Sequence, residues 1–444
     1  MRIIETVATT LQTALGPALD LLGRHSGVIQ RQRKFTGASL LQTVVLTVMK
    51  APAAPVDEFV RTAARLGLRV TPTAIEKRFT DRLVTFLRAG LAQVLEHAIA
   101  ADPKAIPLLK KFTAVELGDS TTVRLPDEYA AAFAGCGGKS GSGQAAVKLQ
   151  LAYELRSGRV TRLREQPGRH SDASIEDPQR PVPPGALILR DLGYFSLKRF
   201  RHVGQQGAFW ISRWQPGTAV FDAQGQPLDL LEYLRQRWTG RCPIDVPIVL
   251  GAVERLPCRL IALRVSQEVA ARRRQKLAER ACKQGTTPSA AQSAWCEWTV
   301  FVTNCPKTLL RWREVVVLYR ARWQIELIFK LWKSHNHLAA FRPEWSPVER
   351  LAVFWAKLIG VLLQHWLLLT STWPDPQCSG WKASQVIRDW IVPLSRALQD
   401  KEALLGVLSD LSEEIASVAQ VKKRKQSPSL WQLLLNPNLL TWTP

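Results

Sequence analysis

The sequence predicts an α/β fold in which helical regions flank a central region of strands. From about residue 112 apolar residues recur at every second position, most strictly from Val147 to Leu155, and this alternation predicts strands. The continuous apolar run at 186–189 is typical of a strand buried on both faces. Residues 1–105 and 346–444 show helical spacing instead. Strands followed by helices within the central region favour an α/β order.

The N-terminal region contains a possible DNA-binding motif. An amphipathic stretch at 56–66 ends at Gly67, and Thr71 followed by Pro72 predicts the start of a second helix, with a capping residue and a proline at its first position. That second helix carries Lys and Arg, so the pair is compatible with a helix-turn-helix. Two packed helices of a small bundle fit the same pattern.

Two aspartates share one predicted setting. Asp119 follows a short strand that begins near residue 113, and Asp191 follows the apolar run at 186–189. Ligands of α/β sheets usually bind where strands end and loops open a crevice. Either aspartate alone is more often a turn residue or a helix cap. Together with Glu326, they form a set of three carboxylates that we expect to converge on a divalent metal.

The segment 319–333 predicts one helix, because it lacks Gly and Pro and its apolar residues recur at helical spacing. On a regular helix, Tyr319, Arg322, Glu326 and Lys333 fall within an arc of about 60°. A carboxylate in this row can hold a divalent metal, while the basic groups neutralise phosphate oxygens. The alternative is an ordinary solvated face, because charged residues at this spacing are common on helices.

Charge points to a polyanionic partner. The chain has 444 residues and a formal net charge of +23, far beyond what solubility requires. The basic residues are spread along the chain, which favours nucleic acid over a membrane surface. Seven scattered cysteines without a CxxC pair indicate reduced thiols in the cytosol and make zinc unexpected. The apolar stretch at 351–369 includes Lys357 and His365, so we expect a buried helix rather than a membrane span.

The interval between Asp191 and Glu326 is too long for a simple connection. We predict that residues 215–300 form a β-rich insertion subdomain with a basic, phosphate-contacting arm. Arg272, Arg273 and Arg274 lie in this arm, and a solvated basic helix is the alternative. The predicted domains are a helical DNA-binding region at 1–105, a first core part at 106–214, the insertion at 215–300, a second core part at 301–345 and a helical region at 346–444.

These motifs together resemble a known family, the bacterial cut-and-paste DDE transposases of the insertion sequence four family. The resemblance covers about residues 30–370 and is strongest at the acidic motifs. The matching motifs are Gly118-Asp119-Ser120-Thr121, Leu189-Arg190-Asp191-Leu192-Gly193-Tyr194-Phe195 and the family's Tyr-Arg-Glu-Lys spacing Tyr319-x2-Arg322-x3-Glu326-x6-Lys333.

The resemblance implies an RNase H-like catalytic core interrupted by the insertion, with Asp119, Asp191 and Glu326 as catalytic and metal-binding residues. Two Mg²⁺ ions, or Mn²⁺, would serve as cofactors. The same resemblance implies double-stranded DNA at the transposon ends and target as partner, a homodimer in a synaptic complex, no membrane, and the bacterial cytoplasm near the nucleoid as location. Implied DNA-binding residues are Tyr319, Arg322, Lys333, Arg272, Arg273, Arg274 and Trp298, with Trp295 as the other candidate for stacking on a flipped base.

Three functions are therefore open at the level of sequence. The leading one is a DNA transposase that cuts transposon ends and joins them to target DNA. The second is an RNase H-like nuclease that cuts without joining. The third is a catalytically silent DNA-binding relative, which the three acidic motifs argue against.

Overall fold

The chain forms two compact units. The structure is a computed structural model that describes residues 2–31, 33–102, 105–137, 144–172, 180–240, 242–371, 377–421 and 427–441. The first unit comprises residues 1–104, 120–170 and 324–423, and the second comprises residues 105–119, 171–323 and 424–444.

The elements follow one another as a helical region, strands with interspersed helices, and a second helical region. In chain order the α-helices are Arg2–Ala14 (α1), Ala18–His25 (α2), Gly37–Lys50 (α3), Val56–Arg65 (α4), Pro72–Glu76 (α5), Asp81–Glu96 (α6), Pro107–Lys110 (α7), Leu197–Gln205 (α8), Leu230–Arg237 (α9), Gln267–Lys283 (α10), Ala290–Trp295 (α11), Trp312–Ala321 (α12), Trp323–Lys330 (α13), Pro347–Leu369 (α14), Gly380–Ala397 (α15), Lys401–Val418 (α16) and Leu430–Leu435 (α17). The strands are Val115–Arg124 (β1), Ala146–Glu154 (β2), Val160–Pro167 (β3), Leu187–Arg190 (β4), Phe209–Arg213 (β5), Val220–Phe221 (β6), Ile244–Leu250 (β7), Leu256–Arg264 (β8) and Trp298–Thr303 (β9).

The first unit is built around α14. Every residue from Leu351 to Leu369 on this helix is buried, and α3, α6 and α15 pack against it. The helix is long and apolar enough to cross a membrane, but 94% of its most apolar window is buried inside the protein. It is thus a core helix, as the sequence predicts. The antiparallel hairpin β2–β3 also belongs to this unit.

The predicted helix-turn-helix region begins as expected but is shorter. The Thr71 side chain accepts a hydrogen bond from the Ala74 amide, and Pro72 starts α5, which ends after five residues at Glu76. Gly67 has a φ of +80°, which a residue with a side chain rarely adopts. The flanking helices α3 and α6 pack on α14, so the N- and C-terminal helical regions share one core.

The second unit contains the larger run of strands. They lie in the order β1-β4-β5-β9-β8-β7-β6. The neighbours β1, β4 and β5 run parallel, and the strands from β5 through β9 to β6 pair antiparallel. The interval 215–300 is rich in strands, as predicted. However, these strands continue the order of the core strands, because β9 pairs with both β5 and β8.

Candidate active site

Asp119 and Asp191 lie at adjacent positions of neighbouring parallel strands. Gly118 of β1 is in register with Arg190, the last residue of β4, and Asp119 and Asp191 each follow one residue later. Asp191 directly follows β4, as predicted. Asp119 does not end its strand, and that prediction is wrong: β1 continues to Arg124, because 121–123 are β-branched residues that favour strands.

Arg322 connects the two carboxylates. Its Nη1 donates a hydrogen bond to Oδ2 of Asp119 at 3.0 Å, and its Nη2 lies 3.4 Å from Oδ1 of Asp191. The side chains of Arg322 and Asp119 are 14% and 15% exposed, whereas that of Asp191 is 47% exposed. One guanidinium group therefore holds two carboxylates together, at a point that solvent reaches from the side of Asp191.

The segment that carries Arg322 is not the single helix that the sequence predicts. The helix α12 ends at Ala321, α13 begins at Trp323, and a π-helical turn, Leu331–His335, follows. Between the two helices the Arg322 amide donates to the Tyr319 carbonyl at 3.2 Å, a tightened bond over three residues. No Gly or Pro marks this break in the sequence. The arc calculated for one regular helix accordingly does not apply, and π-helical turns occur frequently at functional sites.

Tyr319 and Arg213 border the pair of aspartates. The ring of Tyr319 packs edge-on against Phe301 with centroids 5.2 Å apart, and the Arg213 guanidinium lies 5.7 Å from the same Phe301 ring. Burial raises the pKa of Tyr319, an effect that Asp191 reinforces and that Arg322 and Arg213 oppose. Burial likewise lowers the pKa of Arg213, while Tyr319 and Asp191 favour its charged form.

Arg213 is not among the site residues that the sequence predicts. Its only sequence signal is its position at the end of β5, the strand parallel to β4 and next to it. Its Nε is buried without a hydrogen-bond partner, and the buried hydroxyl of Tyr319 likewise makes no hydrogen bond of ordinary geometry among the described residues. The Arg213 Nε–H can therefore donate a hydrogen bond to an additional polar ligand, and the Tyr319 hydroxyl can donate or accept one.

A second charged cluster lies beside these strands and was also missed. Arg190 is 5% exposed at its side chain and pairs with Glu116 of β1, and Arg180 donates to both carboxylate oxygens of Glu116 at 3.0 and 2.8 Å. Burial alone would raise the pKa of Glu116, but the two arginines lower it to about 2. A Cβ at Gly118 would lie 2.4 Å from Cζ of Arg190, so a side chain there would displace the guanidinium group that pairs with Glu116.

Glu326 and Lys333 belong to the first unit. Glu326 is half-buried in the first turn of α13, and Lys333 is exposed on the π-helical turn. Among the described residues, no group of three or more His, Cys, Asp or Glu side chains is arranged to hold a metal ion. The chemistry of the donors nevertheless fits a hard divalent cation, because Asp119 and Asp191 are oxygen ligands that already share one cationic group.

The three predicted arginines of α10 differ in their contacts. Arg273 donates to the Trp298 carbonyl and to the Thr299 hydroxyl, both at 2.9 Å, which ties α10 to β9. Arg274 pairs with Glu297, while Arg272 is exposed and pairs only within the helix, with Glu268. Arg273 is therefore engaged in hydrogen bonds that stabilise the fold. Arg272 is the most accessible of the three to a phosphate.

The two candidate tryptophans also differ. Trp298 is 4% exposed and packs edge-on against Trp238, so it presents no open ring face. Trp295 is half-buried, packs against Trp214 with centroids 4.7 Å apart and lines an open cavity of about 260 Å³. The cavity walls include Val220, Leu230 and Leu231.

Part of this chain matches a family model, and most of it aligns with known relatives and with a solved structure. The family model described as "Transposase DDE domain" matches residues 115–359. The transposase for insertion sequence element IS231F of Bacillus thuringiensis subsp. israelensis is 26% identical, over 97% of this chain and 95% of its own length. The transposase for IS231B of the subspecies berliner is 28% identical, over 92% and 90%. A piggyBac transposase synaptic complex with hairpin DNA superimposes with a TM-score of 0.45 and 10% identity, over 95% of this chain and 87% of that one.

Proposed function

The chain belongs to the transposase DDE domain family, and from this premise we propose that it cuts the ends of an insertion sequence and joins them to target DNA. The acidic residues of the proposed active site are Asp119, Asp191 and Glu326. The observation that carries the assignment is the pairing of Asp119 and Asp191 at adjacent register positions with one shared cationic partner.

The proposed chemistry requires divalent metal ions, of which Mg²⁺ is the best candidate and Mn²⁺ an alternative. Asp119 and Asp191 would hold them through carboxylate oxygens, with Glu326 as the third ligand. When bound there, such ions would supply activation of the attacking water or 3′-hydroxyl group and stabilisation of the leaving oxygen. Asp191 is half-exposed, so a phosphodiester would reach the pair from its side.

The basic groups around the aspartates would bind and orient the DNA backbone. Arg322 and Arg213 supply guanidinium groups, which match the oxygens of a phosphate. The buried hydroxyl of Tyr319, without a hydrogen bond of ordinary geometry, can donate to one of those oxygens. Lys333, exposed on the π-helical turn, would neutralise a phosphate further along the strand.

The region 215–300 would contact DNA beyond the cleavage point. Arg272 is exposed and would bind a phosphate of the DNA with release of counterions. For a base turned out of the duplex, Trp295 is a better stacking partner than Trp298, because it is only half-buried and borders a cavity. Use of Trp298 would require it to leave the protein core.

The finer fold and the assembly are also proposals. The parallel strands β1, β4 and β5, with the hairpin β2–β3 inserted between β1 and β4 in the chain, support an RNase H-like core with residues 215–300 as an insertion into it. We place the protein with double-stranded DNA in the bacterial cytoplasm, at the nucleoid. We expect a homodimer in the synaptic complex, because two transposon ends must be cut together.

The test is excision and joining of a donor DNA that carries the sequences flanking this gene, with Mg²⁺. Wild type should release and join the element, whereas Glu326→Gln and Asp191→Asn should do neither, because each removes an anionic metal ligand. Glu232→Gln, an exposed glutamate on α9, is the matched control and should stay active. Cleavage without a joined product would favour a nuclease, and equal activity of Glu326→Gln and wild type would refute the site assignment.

A further inference from the structure

Arg322 bridges the two carboxylates that would hold a metal cation. The same guanidinium group lies 3.0 Å from Asp119 and 3.4 Å from Asp191. Arg322 and Asp119 are both largely shielded from solvent, so this contact is screened less than a surface ion pair. A divalent ion that binds the same two carboxylates would come close to this positive charge and be repelled by it.

A guanidinium group has a second suitable partner in the proposed reaction. Arginine pairs with phosphate as readily as with carboxylate, in both cases through its planar fork of N–H groups. The two aspartates share one such group with a single positive charge, whereas a dication would offer the same two carboxylates two positive charges. A phosphate of the DNA end would thus draw Arg322 away from the carboxylates while these oxygens become available to metal.

We propose that Arg322 is an exchangeable counter-ion, which bridges Asp119 and Asp191 without DNA and moves to a phosphate when a DNA end binds. This inference rests on the proposed function. Its consequence is that DNA and metal bind cooperatively: a DNA end raises the affinity for metal, and by thermodynamic reciprocity metal raises the affinity for the DNA end by the same factor. The protein without DNA is then poorly loaded with metal and protected from cutting at random sites.

The first experiment measures Mn²⁺ binding to the full chain without DNA, by the electron paramagnetic resonance signal of free Mn²⁺ at constant ionic strength. Arg322→Gln should bind Mn²⁺ at least about tenfold more tightly than wild type, within the range typical of coupled sites. The matched control is Arg320→Gln, which removes the same charge from an exposed position two residues earlier and should bind as wild type does.

Adding Asp119→Asn to Arg322→Gln should remove the gained affinity, which would locate the ions at these carboxylates. The proposal is overturned if Arg322→Gln and wild type bind Mn²⁺ equally, whether tightly or weakly. It is also overturned if the gain survives the Asp119→Asn substitution, because the ions then bind elsewhere.

A second experiment uses unaltered protein and so does not depend on how the variant folds. Ca²⁺, as a cation probe, should tighten wild-type binding to a duplex copied from the DNA flanking this gene, at constant ionic strength. No effect of Ca²⁺ on that affinity would overturn the coupling. Failure of the proposed active site would give a different result from failure of the coupling. In that case Asp191→Asn would cut donor DNA as fast as wild type.

Discussion

The two charged clusters of the second unit contain the same chemical groups in opposite proportions. In one, Arg190 and Arg180 share the single carboxylate of Glu116, which is 11% exposed at its side chain. In the other, Asp119 and Asp191 share the single guanidinium of Arg322, and Asp191 is 47% exposed. The first arrangement fixes the strands that carry the aspartates. The second leaves Asp191 half-exposed, in the pair of carboxylates that we propose as metal ligands.

We expect the Glu116 cluster to stabilise the folded state, and removal of the Glu116 carboxylate should have the largest effect on stability. Glu116→Gln leaves buried Arg190 without its anionic partner, which should cost about 3–5 kcal/mol of unfolding free energy. Urea unfolding at pH 7 measures the loss, with exposed Glu232→Gln as the control that should stay near wild type. A loss as small as that of the control would break the contrast between the clusters.

The same variant has a predicted pH dependence. The pKa of Glu116 is lowered from 4.5 to about 2, so the folded state favours its charged form. The stabilisation from this group is therefore complete above about pH 4.5 and disappears as the pH falls towards 2. The difference in unfolding free energy between wild type and Glu116→Gln should shrink over that interval. A difference that is constant from pH 7 to pH 3 would contradict the lowered pKa.

The two tryptophans sharpen the contrast between groups that the fold occupies and groups that remain available. Trp298→Ala should destabilise the protein by about 3–5 kcal/mol, because it empties a buried position. Trp295→Ala should cost less stability and instead weaken cleavage or binding of the transposon end. Thermal unfolding and DNA binding, measured on both variants, separate the two effects. Equal stability losses with no effect of Trp295→Ala on DNA would count against the proposed stacking role.

The smallest expected effects are those of substituting the neighbouring arginines of α10. Arg273→Gln should lower the free energy of unfolding by about 1–3 kcal/mol, because carbonyl and hydroxyl groups in β9 lose their hydrogen-bond donor. Arg272→Gln should stay within about 0.5 kcal/mol of wild type and lower the salt dependence of DNA binding by about one unit of slope. Urea unfolding and DNA titrations at several salt concentrations provide both values, and the opposite pattern would reverse the assignment.

The sequence was sufficient for features that depend on local pattern. The alternation of Val147 to Leu155 corresponds to β2, and the apolar run before Asp191 corresponds to β4. The motif around Thr71 and Pro72 starts a helix at the predicted residue. These features could be predicted because side-chain periodicity and capping chemistry are encoded within a few residues.

The features that escaped prediction depend on register and on tertiary contacts. The sequence cannot show that Gly118 pairs with Arg190, and so it cannot show that Glu116 meets Arg190 across the two strands. The break at Arg322 has no glycine or proline to announce it, and the side chain of Arg322 is held by carboxylates from distant segments. For the same reason, Arg213 has no recognisable motif and is identified only by its neighbours Phe301 and Tyr319.

The most direct test of the central claim exchanges an oxygen ligand for sulfur. Asp191→Cys should not cleave donor DNA in Mg²⁺, because this hard ion prefers oxygen ligands, and should regain part of its activity in Mn²⁺, which tolerates a thiolate better. Recovery in Mn²⁺ alone, with Asp191→Ala inactive in both metals, would show that residue 191 ligates the catalytic ion. Full activity of Asp191→Cys in Mg²⁺ would contradict the account and remove Asp191 from the metal site.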